Sequence, residues 1–154
     1  MVRNLDKHLI DNLYVEAMVL ADEARSFFDQ RADEHRVLLD NRGRVDFACE
    51  ALKATTRLMH VIAWLLTQRA ILNGELPTHA REEDAHRLGL AAPTDPAIAE
   101  QFRLDMATLI VASEDLYDRV ARLESQLLGR SPGPSPIPRH SPARDLLARL
   151  ESAL

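Results

Sequence analysis

The sequence predicts an all-α fold: an antiparallel three-helix bundle of long helices, a short helix in the second connection, and a flexible proline-rich C-terminal tail. Three observations carry that expectation. Glycine occurs only five times in 154 residues and aromatics make up 5%, a composition poor in the residues that favour strands. Three long stretches repeat apolar side chains at alternating steps of three and four, which gathers them on one helical face. Clusters of turn-forming residues separate those stretches. The length suits one domain with a sizeable core, placed at residues 1–129, leaving residues 130–154 as a linker and a short amphipathic segment.

The first helix is expected over residues 9–31, where Leu13, Ala17, Leu20, Ala24 and Phe27 or Phe28 share a face and Asp22, Glu23, Arg25 and Asp29 take the other. Asp40-Asn41-Arg42-Gly43 breaks the rhythm and lets the chain reverse. A second helix follows over residues 45–73, closed by Gly74, because glycine accepts the left-handed conformation that ends helices. It bears two apolar stripes. One is Ala48, Leu52, Thr55, Met59, Ile62 and Leu66; the other is Phe47, Ala51, Ala54, Leu58, Val61, Leu65 and Leu72. One stripe can pack within the chain, and the other calls for a further element or a second subunit. Leu58, Val61 and Leu65 are the residues expected at such a homodimer interface, twofold contact being the commonest closed arrangement.

Residues 75–94 form a long connection with a short helix expected within 78–88. Asp95-Pro96 pairs an N-cap side chain with proline at the first helical position. From there Phe102, Met106, Leu109, Ser113, Leu116, Val120, Leu123 and Leu127 keep a bundle-seam rhythm until Gly129. Residues 130–142 are then too rich in proline for helix, which predicts an extended tether. Ser141-Pro142 starts a last short helix whose apolar residues are Leu146, Leu147, Leu150 and Leu154, too short to be stable alone. Four arginines against Asp145 and Glu151 put residues 130–154 at +2, so that of the total −5 the body carries −7.

An acidic body argues against nucleic acid as a partner, since phosphates require an excess of Lys and Arg. Cys49 is the only cysteine, which excludes an internal disulfide and a cysteine-based zinc site and fits a reducing compartment. The longest strongly apolar run, residues 61–66, falls far short of a membrane span of about 20 residues. The expected location is therefore cytoplasmic, without membrane insertion.

Catalytic chemistry finds little support. Glu83-x-x-His86 could place two metal ligands on one side of a helix, but no second such pair exists. Cys49 has no His or Asn at readable spacing, and neither a nucleophile turn nor a phosphate-binding glycine loop occurs. No enzyme activity, metal or cofactor is expected. Arg57, His60, Trp64 and Gln68, by contrast, align a cation, an imidazole, a large aromatic and an amide along one stripe of the second helix. Trp and Arg are enriched in binding hot spots, which makes these four, with Leu146, Leu147, Leu150 and Leu154, the candidate partner-binding residues. The commoner alternative is a core stripe, with Trp64 covering the bundle end or lying under the long connection.

Three blocks carry a family resemblance: Leu13-Tyr-Val-Glu-Ala-Met-Val-Leu-Ala-Asp-Glu-Ala-Arg-Ser-Phe-Phe-Asp29, Thr56-Arg-Leu-Met-His-Val-Ile-Ala-Trp-Leu-Leu-Thr-Gln-Arg-Ala70 with Asn73-Gly74-Glu75 after it, and Ser113-Glu-Asp-Leu-Tyr-Asp-Arg-Val-Ala-Arg-Leu123. Together, and in this order, they resemble the RcdA family of alphaproteobacteria, regulators of CtrA degradation. The resemblance implies a dimerising three-helix bundle without catalytic activity that serves as an adaptor for the ClpXP protease. It implies further that a response regulator of the CpdR type primes the ClpX unfoldase, after which the adaptor tethers cargo such as CtrA or its accessory proteins, with recruitment to a cell pole. Holding a weak substrate beside the enzyme raises its effective concentration without new chemistry. A structural or scaffold helical dimer with no role in proteolysis would use the same bundle.

Overall fold

The structure, a computed structural model, describes residues 2–130 and 142–153. The proline-rich stretch at 131–141 and Leu154, for which a tether and an apolar contact were expected, lie outside the described residues. Six α-helices are present among the described residues: α1 (Val2–Gln30), α2 (Ala32–Val37), α3 (Asn41–Leu72), α4 (Pro96–Ala99), α5 (Leu104–Arg130) and α6 (Pro142–Ser152). Two 3₁₀ turns, Thr78–Glu82 and Asp84–His86, lie in the connection after α3.

Local chemistry explains most helix ends. α1 begins well before residue 9 because residues 2–8 hold neither glycine nor proline to stop it. The chain reverses at residues 38–40, slightly earlier than the expected joint, since Asp40 acts as an N-cap whose carboxylate accepts from the Gly43 amide at 2.7 Å. Gly74 closes α3 with φ of 78°, the left-handed value that the sequence called for. Asp95 does cap its helix, accepting from the Ala97 amide at 2.9 Å, but that helix is only α4. The chain then breaks, and Phe102 drops edge-on against Phe47 with ring centroids 5.6 Å apart. The short helix expected within 78–88 is replaced by the two 3₁₀ turns, divided at Glu83, whose backbone is extended. Gly129 lies within the last turn of α5 rather than beyond it.

The long helices form one bundle, with Ile10, Leu13, Ala17, Leu20 and Phe27 of α1 facing Leu58, Val61 and Leu65 of α3 and Met106, Ile110, Leu116 and Val120 of α5 in a common core. This corrects the expectation for Leu58, Val61 and Leu65. They are at most 4% exposed, because the chain's own helices cover the stripe assigned to a second subunit.

Helix direction differs from the up-down-up expectation in two pairs, both involving α5. Phe27 meets Phe47, and Arg69 pairs with Asp11 at 3.4 Å, so α1 and α3 are antiparallel. Arg31 pairs with Asp105 and Arg119 with Glu16, which makes α1 antiparallel to α5 as well. Phe47 meets Phe102 and Arg57 meets Ser113, so α3 and α5 run parallel. A parallel pair requires the connection to travel back along the whole of α3, about 48 Å at 1.5 Å per residue. Residues 73–103 do so: Arg81 sits beside Gln68, Gly89 against His60, Thr94 on Arg57 and Gln101 on Asp46.

Candidate functional site

Arg57, His60, Trp64 and Gln68 are brought together as the stripe predicts, but under the returning connection and not on an open face. Arg57 is 2% exposed. Its guanidinium donates to Ser113 Oγ at 3.2 Å, to the Ala92 carbonyl at 2.8 Å and to Thr94 Oγ1 at 2.8 Å. The Thr94 hydroxyl in turn donates to Glu50 Oε2 at 2.5 Å, and Lys53 Nζ donates to Glu50 Oε1 at 2.8 Å. The Arg57 guanidinium and the buried Glu50 carboxylate, joined through the Thr94 hydroxyl, thus fasten residues 92–94 to α3 and α5. Charges this deep persist only when paired and hydrogen-bonded.

The remaining stripe is covered by the same segment. Arg81 Nε donates to Gln68 Oε1 at 2.7 Å, and burial lowers the Arg81 pKa against the raising influence of Asp6. Leu88 N donates to Glu124 Oε2 at 2.8 Å. Tyr117 donates to the Gly89 carbonyl at 2.7 Å. Burial pushes the Tyr117 hydroxyl pKa up, a backbone hydrogen bond involving Ala91 lowers it, and the carboxylates of Glu124 and Asp118 add to the rise. Trp64 is 2% exposed and belongs to the core cluster. Its Nε1, with His60 Nδ1 and Gln68 Nε2, is buried without a hydrogen-bond partner. The partner-docking expectation for Arg57, Trp64 and Gln68 is therefore corrected: Arg57 and Gln68 hold the connection down, Trp64 lies in the core cluster, and all three are at most 2% exposed.

Gly89 makes that packing possible. A β-carbon there would lie 2.6 Å from His60 Nδ1 and 2.7 Å from Cε1, closer than van der Waals contact allows. Gly89→Ala is expected to lower stability by about 1–3 kcal/mol through overpacking, measurable by urea denaturation. A loss within a few tenths of a kcal/mol would show that the loop moves aside at little cost.

What the chain leaves open is the other stripe of α3. Val45, Leu52, Met59 and Leu66, seven residues apart in turn, are 62, 68, 64 and 47% exposed. A sevenfold apolar repeat on the outside of a helix is the pattern of a helix–helix seam that lacks its partner. On α6, Leu146, Leu147 and Leu150 are likewise exposed. Elsewhere, His86 Nδ1 lies 2.9 Å from the Ala80 carbonyl and 3.4 Å from Glu83 Oε2, within the first 3₁₀ segment's own surroundings.

Glu50, Thr94 and Ser113 were not singled out from the sequence as functional. Their trace was present all the same, since Ser113 occupies a seam position otherwise held by apolar residues and Glu50 lies seven residues before Arg57.

The family described as "Protein of unknown function (DUF1465)" matches residues 1–154. RcdA from Caulobacter crescentus CB15, known as a crystal structure, superposes with a TM-score of 0.63 at 30% sequence identity, covering 80% of this chain and 93% of that one. The chain belongs to the RcdA family, the DUF1465 proteins. No curated protein matches it. The RcdA-like bundle thus accounts for the three sequence blocks, which fall on α1, on α3 and on α5. Among the described residues of this RcdA-family chain, no helix is long and apolar enough to cross a membrane.

Proposed function

We propose that this chain is a non-enzymatic cytoplasmic adaptor of regulated proteolysis, which delivers cargo such as CtrA or its accessory proteins to ClpXP primed by a CpdR-type response regulator. The observation that carries this reading is the likeness to RcdA over 93% of that chain at 30% identity. In this reading residues 1–129 are the body and residues 130–154 the tether, with Leu146, Leu147, Leu150 and Leu154 supplying its apolar contacts. The test is degradation of candidate cell-cycle regulators by ClpXP, with the priming regulator, in the presence and absence of this protein. Faster loss of at least one of them supports the adaptor; unchanged lifetimes for all would leave a scaffold and overturn it.

The homodimer in this proposal uses the outward stripe of α3, since the inward one is occupied. Val45, Leu52, Met59 and Leu66 meet the need for a self-complementary apolar surface around a twofold axis. Leu52→Glu with Met59→Glu is expected to weaken association by about a hundredfold or more, because two like charges would face their copies across the axis. Light scattering at micromolar concentration should then read the monomer mass for the variant and twice that for the parent. Equal masses would overturn this interface.

A further inference from the structure

Along the bundle, α1 and α5 leave a groove between them on the outer side. Two ion pairs bridge them, Glu16 with Arg119 near one end and Arg31 with Asp105, 2.9 Å apart, near the other. Between and beside these bridges lie two cavities of about 260 and 340 Å³ that share Leu20, Glu23 and Ala112 as walls. The floor is completed by Phe27 and Leu109, and Val19 stands exposed on the lip. Two helices with an apolar gap between them present the groove that receives the ridge of a third.

We propose that this groove is the docking site of the chain's own α6. The leucine face of α6 is uncovered, Leu146, Leu147 and Leu150 being 61, 59 and 60% exposed. An 11-residue helix with three bare leucines is not stable on its own in water, so burial of that face is what would hold it together. Lengths agree. The groove between Glu16 and Arg31 runs about 22 Å and α6 about 16 Å at 1.5 Å per residue. From Arg130 back to the level of Arg119 is a further distance of about 16 Å along α5, while residues 131–141 permit a span of up to about 36 Å.

Charge offers one specific pair. Glu16, Glu23, Asp105 and Asp115 line the groove against Arg31 and Arg119, an acidic excess. Glu23 lies in both cavities and makes no ion pair among the described residues. α6 itself is neutral, Arg144 and Arg149 balancing Asp145 and Glu151, so the match is local: Arg149 flanks the leucine face where it can meet Glu23. The outward stripe of α3 competes less well, because it is a ridge of one helix without a second wall. Docking of α6 in this groove does not depend on the adaptor reading, and its test involves no protease.

Hydrogen exchange in the full-length protein provides that test. The amides of residues 146–151 should exchange about tenfold or more slowly than in an unfolded peptide, since a helix this short is otherwise marginal. Leu147→Asp should return them to the unprotected rate. Glu23→Arg, an exposed change outside the core, should speed their exchange about threefold, as should Arg149→Glu, and the double exchange E23R/R149E should restore the slow rate. Unprotected amides in the parent protein would overturn the proposal, as would a charge swap that restores nothing, which would place α6 elsewhere. Protection that fades on dilution would assign the groove to a second copy and overturn intramolecular docking.

Discussion

Replacing Arg57 by leucine is expected to lower folding stability by about 3–5 kcal/mol, because a buried guanidinium that makes three hydrogen bonds is removed, each charge-assisted bond being worth about 1.5–3 kcal/mol and the losses only partly adding. Its guanidinium is the shared donor for Ser113, Thr94 and the Ala92 carbonyl, three groups from two different segments. Leucine leaves the Glu50–Lys53 pair in place but removes the donor that Thr94 Oγ1 and Ser113 Oγ accept from and gives the Ala92 carbonyl no replacement. The melting temperature should fall by about 10 °C for a domain of this size, with the denaturant m-value unchanged. Exchange of the amides around residues 88–94 should accelerate in the same variant, because the fastening of the connection is what has been lost. A single-variant loss below about 1 kcal/mol, the scale of an exposed pair, would show that the connection is held by its apolar contacts instead.

Apolar rhythm carried most of the architecture. Leu13, Ala17, Leu20, Ala24 and Phe27, read from steps of three and four, are all buried on α1, and Met106, Leu109, Leu116, Val120, Leu123 and Leu127 are buried on α5. Rhythm has no direction, however, and this is why the parallel course of α3 and α5 was not legible. That course depends on where residues 73–103 return, and the bonds that fix it join Arg57 to residues 35 and 37 positions away. The two stripes of α3 were visible too, but a period of 3.6 does not say which one faces α1. Leu58, Val61 and Leu65 were assigned outward on that account. Glu50 escaped notice because a charged side chain on a helix is ordinarily solvated, and only its neighbours Thr94 and Lys53 make burial tolerable. The groove between α1 and α5 had no sequence mark at all, since it is a property of how two helices pack together and not of either one.

Trp64→Ala is expected to destabilise the protein by about 3–5 kcal/mol, as large-to-small changes of buried aromatics do. If Trp64 served partner docking, its loss would leave stability nearly intact; a side chain 2% exposed in the core cluster predicts the opposite. The void left by the indole would open within the packed core cluster. Trp64→Phe keeps most of the apolar volume and removes the unpartnered Nε1, so it should cost less than half as much. Because Trp64 is the only tryptophan, the parent protein's own fluorescence gives an independent check. Its emission should be blue-shifted and resistant to iodide quenching in the folded state, shifting to the red on unfolding. Ready quenching in the native protein, or a Trp64→Ala variant that melts with the parent, would place the indole at the surface and return it to the partner-binding residues.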